Sequence, residues 1–233
     1  MLFVEVTGYA VRSAVITLRR RGTPMTFVLF PMVHVGTPAF YAEVRRRLDS
    51  CDMVVAEGVT GRSRQAGMLT MAYRFAPRRA RSGLVLQNDV PLPTEGIPVV
   101  EPDMAAAELM RGIHRSLNWQ YPSLLLLAPL LGLWFALRGP AAFLDEDLVV
   151  EDFPTSRRAE ARANSELRHA LLDERDARLV DALSQIHDER HHEPIRVAVV
   201  YGAAHMPAVV RGLLSRYEYR PRDSEWLTVC VPH

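Results

Sequence analysis

Hydrophobic residues along the chain fall into short runs of strand length that alternate with longer stretches of helical periodicity. Apolar, β-branched runs predict strands at Val11–Leu18, Met25–Val33, Asp52–Ala56, Ile97–Val100, Ile195–Tyr201 and Trp226–Val231. Helical patterns cover about Ala39–Leu48, Arg62–Phe75, 104–117, Thr155–Arg190 and Pro207–Ser215. Strands that alternate with helices favour parallel pairing through right-handed crossovers.

The first two long strand runs are separated by a short Arg-, Gly- and Pro-containing turn, Arg20–Pro24, which predicts an antiparallel hairpin. After the second run, Thr37 and Pro38 have the residue types of a helix N-cap and first helical position. We therefore expect an α/β fold with a mixed, mostly parallel sheet, an N-terminal antiparallel hairpin and flanking helices. The chain is predicted to be one domain, 1–233, with a helical insertion at about 104–190.

Composition excludes several classes of function. All 28 basic residues are arginine, so Schiff-base chemistry, pyridoxal-phosphate attachment and a P-loop lysine have no residue to use. We expect no organic cofactor. The net charge of +1 predicts no recruitment of nucleic acid by a global field.

Cysteine usage and hydropathy bear on location. Cys51 and Cys230 do not form a disulfide framework, and both are predicted to be buried in a reduced compartment. The first residues show no signal-peptide pattern, so we expect a cytoplasmic protein. The strongly apolar Leu124–Leu137 segment predicts a buried helix, or an apolar lid that contacts a membrane surface or a partner. Oligomeric state does not follow from the sequence.

Polar side chains follow three of the predicted buried strands. His34 follows the run that begins at Met25, Glu57 follows Asp52–Ala56, and His205 follows Ile195–Tyr201 after a Gly-Ala-Ala turn. Because ligands bind at the carboxyl ends of parallel strands, we expect these three side chains to converge at one edge of the sheet. Two imidazoles and a carboxylate suit zinc, manganese or cobalt, or metal-free acid–base chemistry.

Other polar residues have two interpretations each. Asp103 follows a strand and is either a helix cap or a substrate-binding group. Arg62 begins an arginine-rich stretch without acids, which either binds an anionic ligand or is a solvated flank. Glu174 and Arg175 lie on a helical pattern, as a solvated salt-bridged face or as groups that support catalysis. The cluster of His187, His191 and His192 is predicted to be a solvated helix end, with adventitious metal binding as the alternative.

Four motifs of the chain resemble those of the TraB/PrgY and Tiki family, within a wider set that includes erythromycin-esterase-like and ChaN-like domains. The matching segments follow the family's order along most of the chain: Val33-His34-Val35-Gly36, Asp52-Met-Val-Val-Ala-Glu57 with Arg62, Glu174-Arg175-Asp176, and Val199-Val200-Tyr201-Gly202-Ala203-Ala204-His205. One position departs from the family pattern, because Pro31 stands where the family has glycine.

The resemblance implies an α/β core with these polar groups at one sheet edge. For Tiki proteins it also implies metal-dependent peptide cleavage, which assigns His34, Glu57 and His205 as metal ligands or catalytic groups, with Glu174 and Arg175 in support. The leading hypothesis is therefore a metal-dependent hydrolase acting on a peptide or other carbonyl substrate. Two alternatives stay open: an inert binding or regulatory module for a peptide, haem or lipid, and a metal-free hydrolase that uses a histidine as general base.

Overall fold

The computed structural model of the protein describes residues 1–57, 83–87, 96–102 and 172–231. Within these ranges the strands are β1 (Val4–Val6), β2 (Val11–Arg19), β3 (Thr26–Met32), β4 (Val35–Gly36), β5 (Met53–Ala56), β6 (Val85–Leu86), β7 (Val99–Val100), β8 (Arg196–Gly202) and β9 (Arg220–Cys230). The described α-helices are α1 (Pro38–Leu48), α2 (Glu174–Arg190) and α3 (Met206–Tyr217), and a 3₁₀ turn spans Ala203–His205.

Seven of these strands form one mixed sheet in the order β1-β2-β3-β8-β5-β7, with β9 paired to β2. Strand β2 is antiparallel to β1, β3 and β9, whereas β3, β8, β5 and β7 are mutually parallel. The predicted α/β class, mixed sheet and N-terminal hairpin are therefore confirmed. The last strand is longer than predicted, because its charged first half, from Arg220, pairs with β2 along its length.

Both faces of the parallel part of the sheet are buried, which explains its continuous apolar runs. Alternate residues of β3 and β8 belong to two different cores. Phe27 and Leu29 share a core with apolar residues of α2 and α3. Val28 and Phe30 share the other core with apolar residues of α1. The helices thus cover opposite faces and leave the strand ends available for polar groups.

Helix α1 begins where the sequence predicts. The Thr37 hydroxyl accepts a hydrogen bond from the Phe40 N–H at 3.2 Å, and Pro38 occupies the first helical position. The same hydroxyl donates to the Val229 carbonyl at 3.0 Å. Thr37 therefore caps the helix and ties its start to β9.

Pro31 lies inside β3, where a residue without an N–H would ordinarily cost a ladder hydrogen bond. The Pro31 carbonyl accepts a hydrogen bond from the buried Ser13 hydroxyl of β2 at 2.6 Å, so the Pro31 C=O points toward β2. The N–H and C=O of a strand residue point to the same side, and the missing N–H therefore faces Ser13 rather than β8. This arrangement accommodates proline in a central strand.

Several predicted features lie outside the described residues: the helix near Arg62–Phe75, the apolar Leu124–Leu137 segment and the 104–171 part of the helical insertion. The predicted Thr155–Arg190 helix is described from α2 onward, and the Ile97–Val100 strand is shortened to β7. In the described part of the chain, no helix is both long enough and apolar enough to cross a bilayer. Cys51 and Cys230 are buried free thiols, as predicted.

Candidate functional site

Four polar side chains meet beyond the carboxyl ends of two neighbouring parallel strands. Glu57 directly follows β5, and its N–H donates to the Val200 carbonyl of β8 at 3.0 Å. His205 ends the 3₁₀ turn that follows β8. Arg175 and Asp176 come from the first turn of α2 and reach Glu57 and His205 respectively. Ligand sites form at the carboxyl ends of parallel strands, which we call the strand-end rule, and this rule accounts for Glu57 and His205 lying in one region of the fold.

Both carboxylate oxygens of Glu57 accept hydrogen bonds. Oε1 accepts from Nη2 of Arg175 at 2.5 Å, and Oε2 accepts from the backbone N–H of Gly202 at 2.8 Å. The Glu57 side chain is 20% exposed and that of Arg175 is 10% exposed, so solvent screens this ion pair only weakly. The pair fixes α2 against the end of β5.

Two opposing influences set the protonation of Glu57. Burial raises the pKa of its carboxyl group, because the charged form loses hydration. The Arg175 charge and hydrogen bond, the Gly202 N–H and the nearby His205 lower it, and together they outweigh burial, so the pKa lies below its ordinary value. Glu57 is therefore an ionised carboxylate at neutral pH.

His205 is held by a carboxylate. Its Nδ1 lies 2.6 Å from Oδ1 of Asp176, and its side chain is only 3% exposed. The Tyr201 ring packs edge-on against the imidazole, with ring centroids 5.6 Å apart. Because an ionised carboxylate only accepts hydrogen bonds, this contact places the proton on Nδ1 and leaves Nε2 as the basic nitrogen of the neutral ring.

Gly202 lies between the two pairs. A β-carbon at this position would lie 3.2 Å from Oε2 of Glu57 and 3.7 Å from Cδ2 of His205. Glu57 and the Cδ2 edge of the imidazole therefore border the same small space. The absence of a side chain at Gly202 lets the carboxylate approach the backbone N–H.

His34 follows β3, the other parallel neighbour of β8. Its side chain is exposed on the turn after β3, and its carbonyl accepts from the Gln87 N–H at 2.9 Å. The preceding carbonyl, of Val33, accepts from the buried Tyr41 hydroxyl at 2.8 Å. The groups that set the charge state of Glu57 include His205. The structure brings Glu57 and His205 together, and a role for His34 stays a prediction.

The remaining predicted site residues divide into two groups. Arg175 joins the site, whereas Glu174, one residue earlier, is exposed at the start of α2, because successive residues on a helix point in different directions. Arg62 and Asp103 lie outside the described residues. Asp176 was not among the predicted site residues. Its place in the same Glu-Arg-Asp element as Arg175 is the sequence signal that could have identified it.

The side chains of this site can be compared with the ligands that a divalent metal requires. His205 offers Nε2, and the contact of its Nδ1 with a carboxylate is the arrangement that orients metal-bound histidines. Glu57 is already paired with a guanidinium, whose charge opposes a cation at the same carboxylate. Across residues 1–57, 83–87, 96–102 and 172–231, no three His, Cys, Asp or Glu side chains form a ligand group. Metal binding stays a prediction.

The histidine cluster at the end of α2 is only partly the solvated helix end that its sequence predicts. His191 and His192 are exposed. His187 is 3% exposed, in contact with Tyr219 and Arg20, and the prediction was wrong for this residue. His187 is buried because the β2–β3 turn and the residue before β9 pack over the end of α2. No local sequence pattern predicts this packing.

No protein-family model, curated protein or solved structure matches the chain. The resemblance to the TraB/PrgY and Tiki family accordingly stays a prediction carried by the four motifs. The contacts among Glu57, Arg175, Asp176 and His205 are independent of it.

Proposed function

We propose that this protein is a hydrolase that acts on a peptide or other carbonyl substrate, with His205 as its acid–base group. The observation that supports the proposal best is the 2.6 Å contact between His205 Nδ1 and Asp176 Oδ1 at the carboxyl end of β8. A histidine whose second nitrogen contacts a carboxylate is the usual orientation of a general base. The neighbouring Arg175 supplies a fixed positive charge.

The chemistry follows from these positions. Nε2 of His205 removes a proton from a water molecule, which attacks the substrate carbonyl carbon. The contact with Asp176 stabilises the imidazolium that forms. Arg175, held in place by Glu57, stabilises the negative charge that develops on the carbonyl oxygen. His205 then gives its proton to the leaving group, and the carbonyl–leaving-group bond breaks.

A metal-dependent form of the reaction uses the same residues differently. A bound divalent cation would act as a Lewis acid that acidifies water and polarises the carbonyl. His205, through Nε2, and Glu57 are the described side chains that would hold it, with His34 as the third predicted ligand. Zinc, manganese and cobalt suit two imidazoles and a carboxylate.

Hydrolysis of a defined peptide library, followed by mass spectrometry, tests the proposal. Wild-type protein is expected to cleave, and His205→Gln to lose at least about 99% of that activity, as general-base catalysis contributes on the order of 10²-fold or more. His191→Gln, at an exposed histidine just after the end of α2, is the matched control and should stay active. Activity in excess chelator would assign the metal-free form. Absence of cleavage by the folded wild-type protein would reject the proposal.

An inert binding module is the second candidate, and one observation favours it. Both oxygens of Glu57 are engaged by Arg175 and Gly202, as in an ion pair whose role is structural. A module of this kind would bind a peptide, haem or lipid without turnover. Ligand binding by wild-type protein, retained in Glu57→Gln and without any cleavage, would favour the module over the hydrolase.

A further inference from the structure

A buried amide oxygen next to the His34 turn lacks a hydrogen-bond donor. Oε1 of Gln87 is shielded from solvent, and among the residues that the structure describes no N–H or O–H group donates to it. The Gln87 backbone, by contrast, is paired, because its N–H donates to the His34 carbonyl at 2.9 Å. An unpaired buried acceptor costs free energy, and native proteins keep few of them.

The β4–β6 ladder places the side chains of Gln87 and His34 side by side. Val35 pairs with Leu86 in antiparallel register, so His34 and Gln87 are the next pair and lie directly opposite each other. Side chains of directly opposite residues share one face of the ladder, with Cβ atoms about 4.5–5.5 Å apart. Both side chains are long enough to close that distance to a hydrogen bond.

This pair lies at the strand ends that form the site. Val35 is 1% exposed and packs in the core on the α1 face, so its neighbour His34 points away from that core. His34 follows β3, which is parallel to β8, and His205 follows the end of β8. The amide of Gln87 is therefore near a histidine of the predicted site and has no donor of its own.

We propose that Gln87 is a positioning residue for His34, an inference that rests on the proposed function. The His34 side chain is exposed, and a substrate that covers it removes the water around the ring. One ring N–H then donates to Oε1 of Gln87, and the other ring nitrogen keeps its lone pair and faces the substrate. The hydrogen bond fixes the tautomer and the orientation of the ring, as the Asp176 contact does for His205.

The two orienting groups differ in charge. Asp176 is a carboxylate and stabilises an imidazolium at His205, whereas the Gln87 amide is neutral and gives a protonated His34 no such support. His34 is thereby held as a neutral ring that offers a lone pair, and His205 remains the acid–base group of the site.

Thermal unfolding of the free protein is the first test. Gln87→Met removes the amide and keeps the length of the side chain, so Tm is expected to rise by about 2–4 °C, because a buried acceptor without a donor is lost. Gln185→Met is the matched control: this exposed amide donates to Glu189 at 2.9 Å, and its loss should change Tm by less than about 1 °C. A lower Tm in Gln87→Met than in wild-type protein would show that the amide is already bonded without substrate, and would overturn the inference.

Peptide cleavage then tests the link to His34. In Gln87→Met, kcat should fall about tenfold, as expected when a histidine loses its orienting partner, whereas Gln185→Met should keep the wild-type kcat. In a His34→Gln background, Gln87→Met should cause no further loss, since the ring that it positions is gone. An equal loss in both backgrounds would show that Gln87 does not act through His34 and would reject its positioning role.

Failure of this inference and failure of the proposed function give different results. Cleavage by wild-type protein with unchanged kcat in Gln87→Met would reject the role of Gln87 and leave the hydrolase in place. Absence of cleavage by the folded wild-type protein would reject the hydrolase, and with it a positioning role in that reaction.

Discussion

Nη1 of Arg20 lies 3.1 Å from Nε2 of the buried His187 ring. Because a guanidinium only donates hydrogen bonds, Nε2 must carry a lone pair, and the proton of the neutral ring sits on Nδ1, which is 3.2 Å from the Tyr219 hydroxyl. His187 thereby joins three elements: the β2–β3 turn, α2 and the residue before β9. A protonated ring would have no acceptor for its second N–H and would face the Arg20 charge.

Acidification is expected to destabilise the protein through His187. Burial, the nearby His191 and Arg20 lower the pKa of His187 below 6.5, although Asp188 opposes them. Below pH 6.5 the unfolded chain binds a proton at this residue that the folded protein does not bind until a lower pH. The free energy of unfolding should therefore fall as pH drops below 6.5, by at most about 1.4 kcal/mol per pH unit from this group. Urea denaturation at pH 5, 6, 7 and 8 measures the change.

A histidine variant isolates this contribution. His187→Gln is expected to flatten the pH dependence between pH 5 and 7, whereas His192→Gln, an exposed residue in the same cluster, should leave it unchanged. If the free energy of unfolding changes with pH equally in the two variants between pH 5 and 7, the assignment to His187 is wrong.

Contact between α2 and α3 depends on Gly212. A β-carbon there would lie 2.5 Å from Cγ1 of Val180, which is closer than two carbons can approach. Gly212→Ala is expected to lower the free energy of unfolding by about 1–3 kcal/mol through overpacking. Val180→Ala should rescue part of that loss, and denaturant titration of the single and double variants would show it as non-additivity. If the losses of the two single variants simply add in the double variant, α2 and α3 move apart to accommodate the added methyl group.

Much of the fold is encoded in local signals. The Thr37-Pro38 pair predicts the start of α1, and it is confirmed because the cap hydrogen bond is made within one turn. The first half of β9 was missed because Arg220–Glu225 is charged and exposed, and only its backbone pairing with β2 makes it a strand. The β4–β6 ladder joins Gly36 to Val85 and has no hydrophobic pattern of its own.

The site was predictable to the extent that topology determines it. Glu57 and His205 follow neighbouring parallel strands, so the strand-end rule brings them together. Asp176 comes from a helix, and its contact with His205 depends on how α2 packs, which spacing along the chain does not encode. His34 follows β3, which is the other parallel neighbour of β8, so the same rule applies to it, and its role stays a prediction.

Loss of the Glu57 charge is expected to destabilise the protein. Glu57→Gln removes the carboxylate that pairs with the largely buried Arg175, which should cost on the order of 2–4 kcal/mol. Because the pKa of Glu57 is below 4.5, the stability that the pair contributes is present above pH 4.5 and is lost as pH falls through the folded-state pKa. Urea denaturation of Glu57→Gln, Arg175→Met and the double variant measures the coupling. If the double variant loses as much as the sum of the two singles, the ion pair contributes nothing.

Asp176 is expected to act through His205 rather than on substrate. In Asp176→Asn, the amide can keep a hydrogen bond to Nδ1, but it no longer stabilises the imidazolium, and its N–H₂ group favours the tautomer in which Nε2 carries the proton. For the proposed hydrolysis, kcat should fall about 10²-fold or more while KM stays within about twofold. Asp181→Asn, an exposed position further along α2, is the control for effects on the helix. A raised KM with unchanged kcat would instead make Asp176 a substrate-binding group, and His205 would then lack the orienting partner that the proposed mechanism requires.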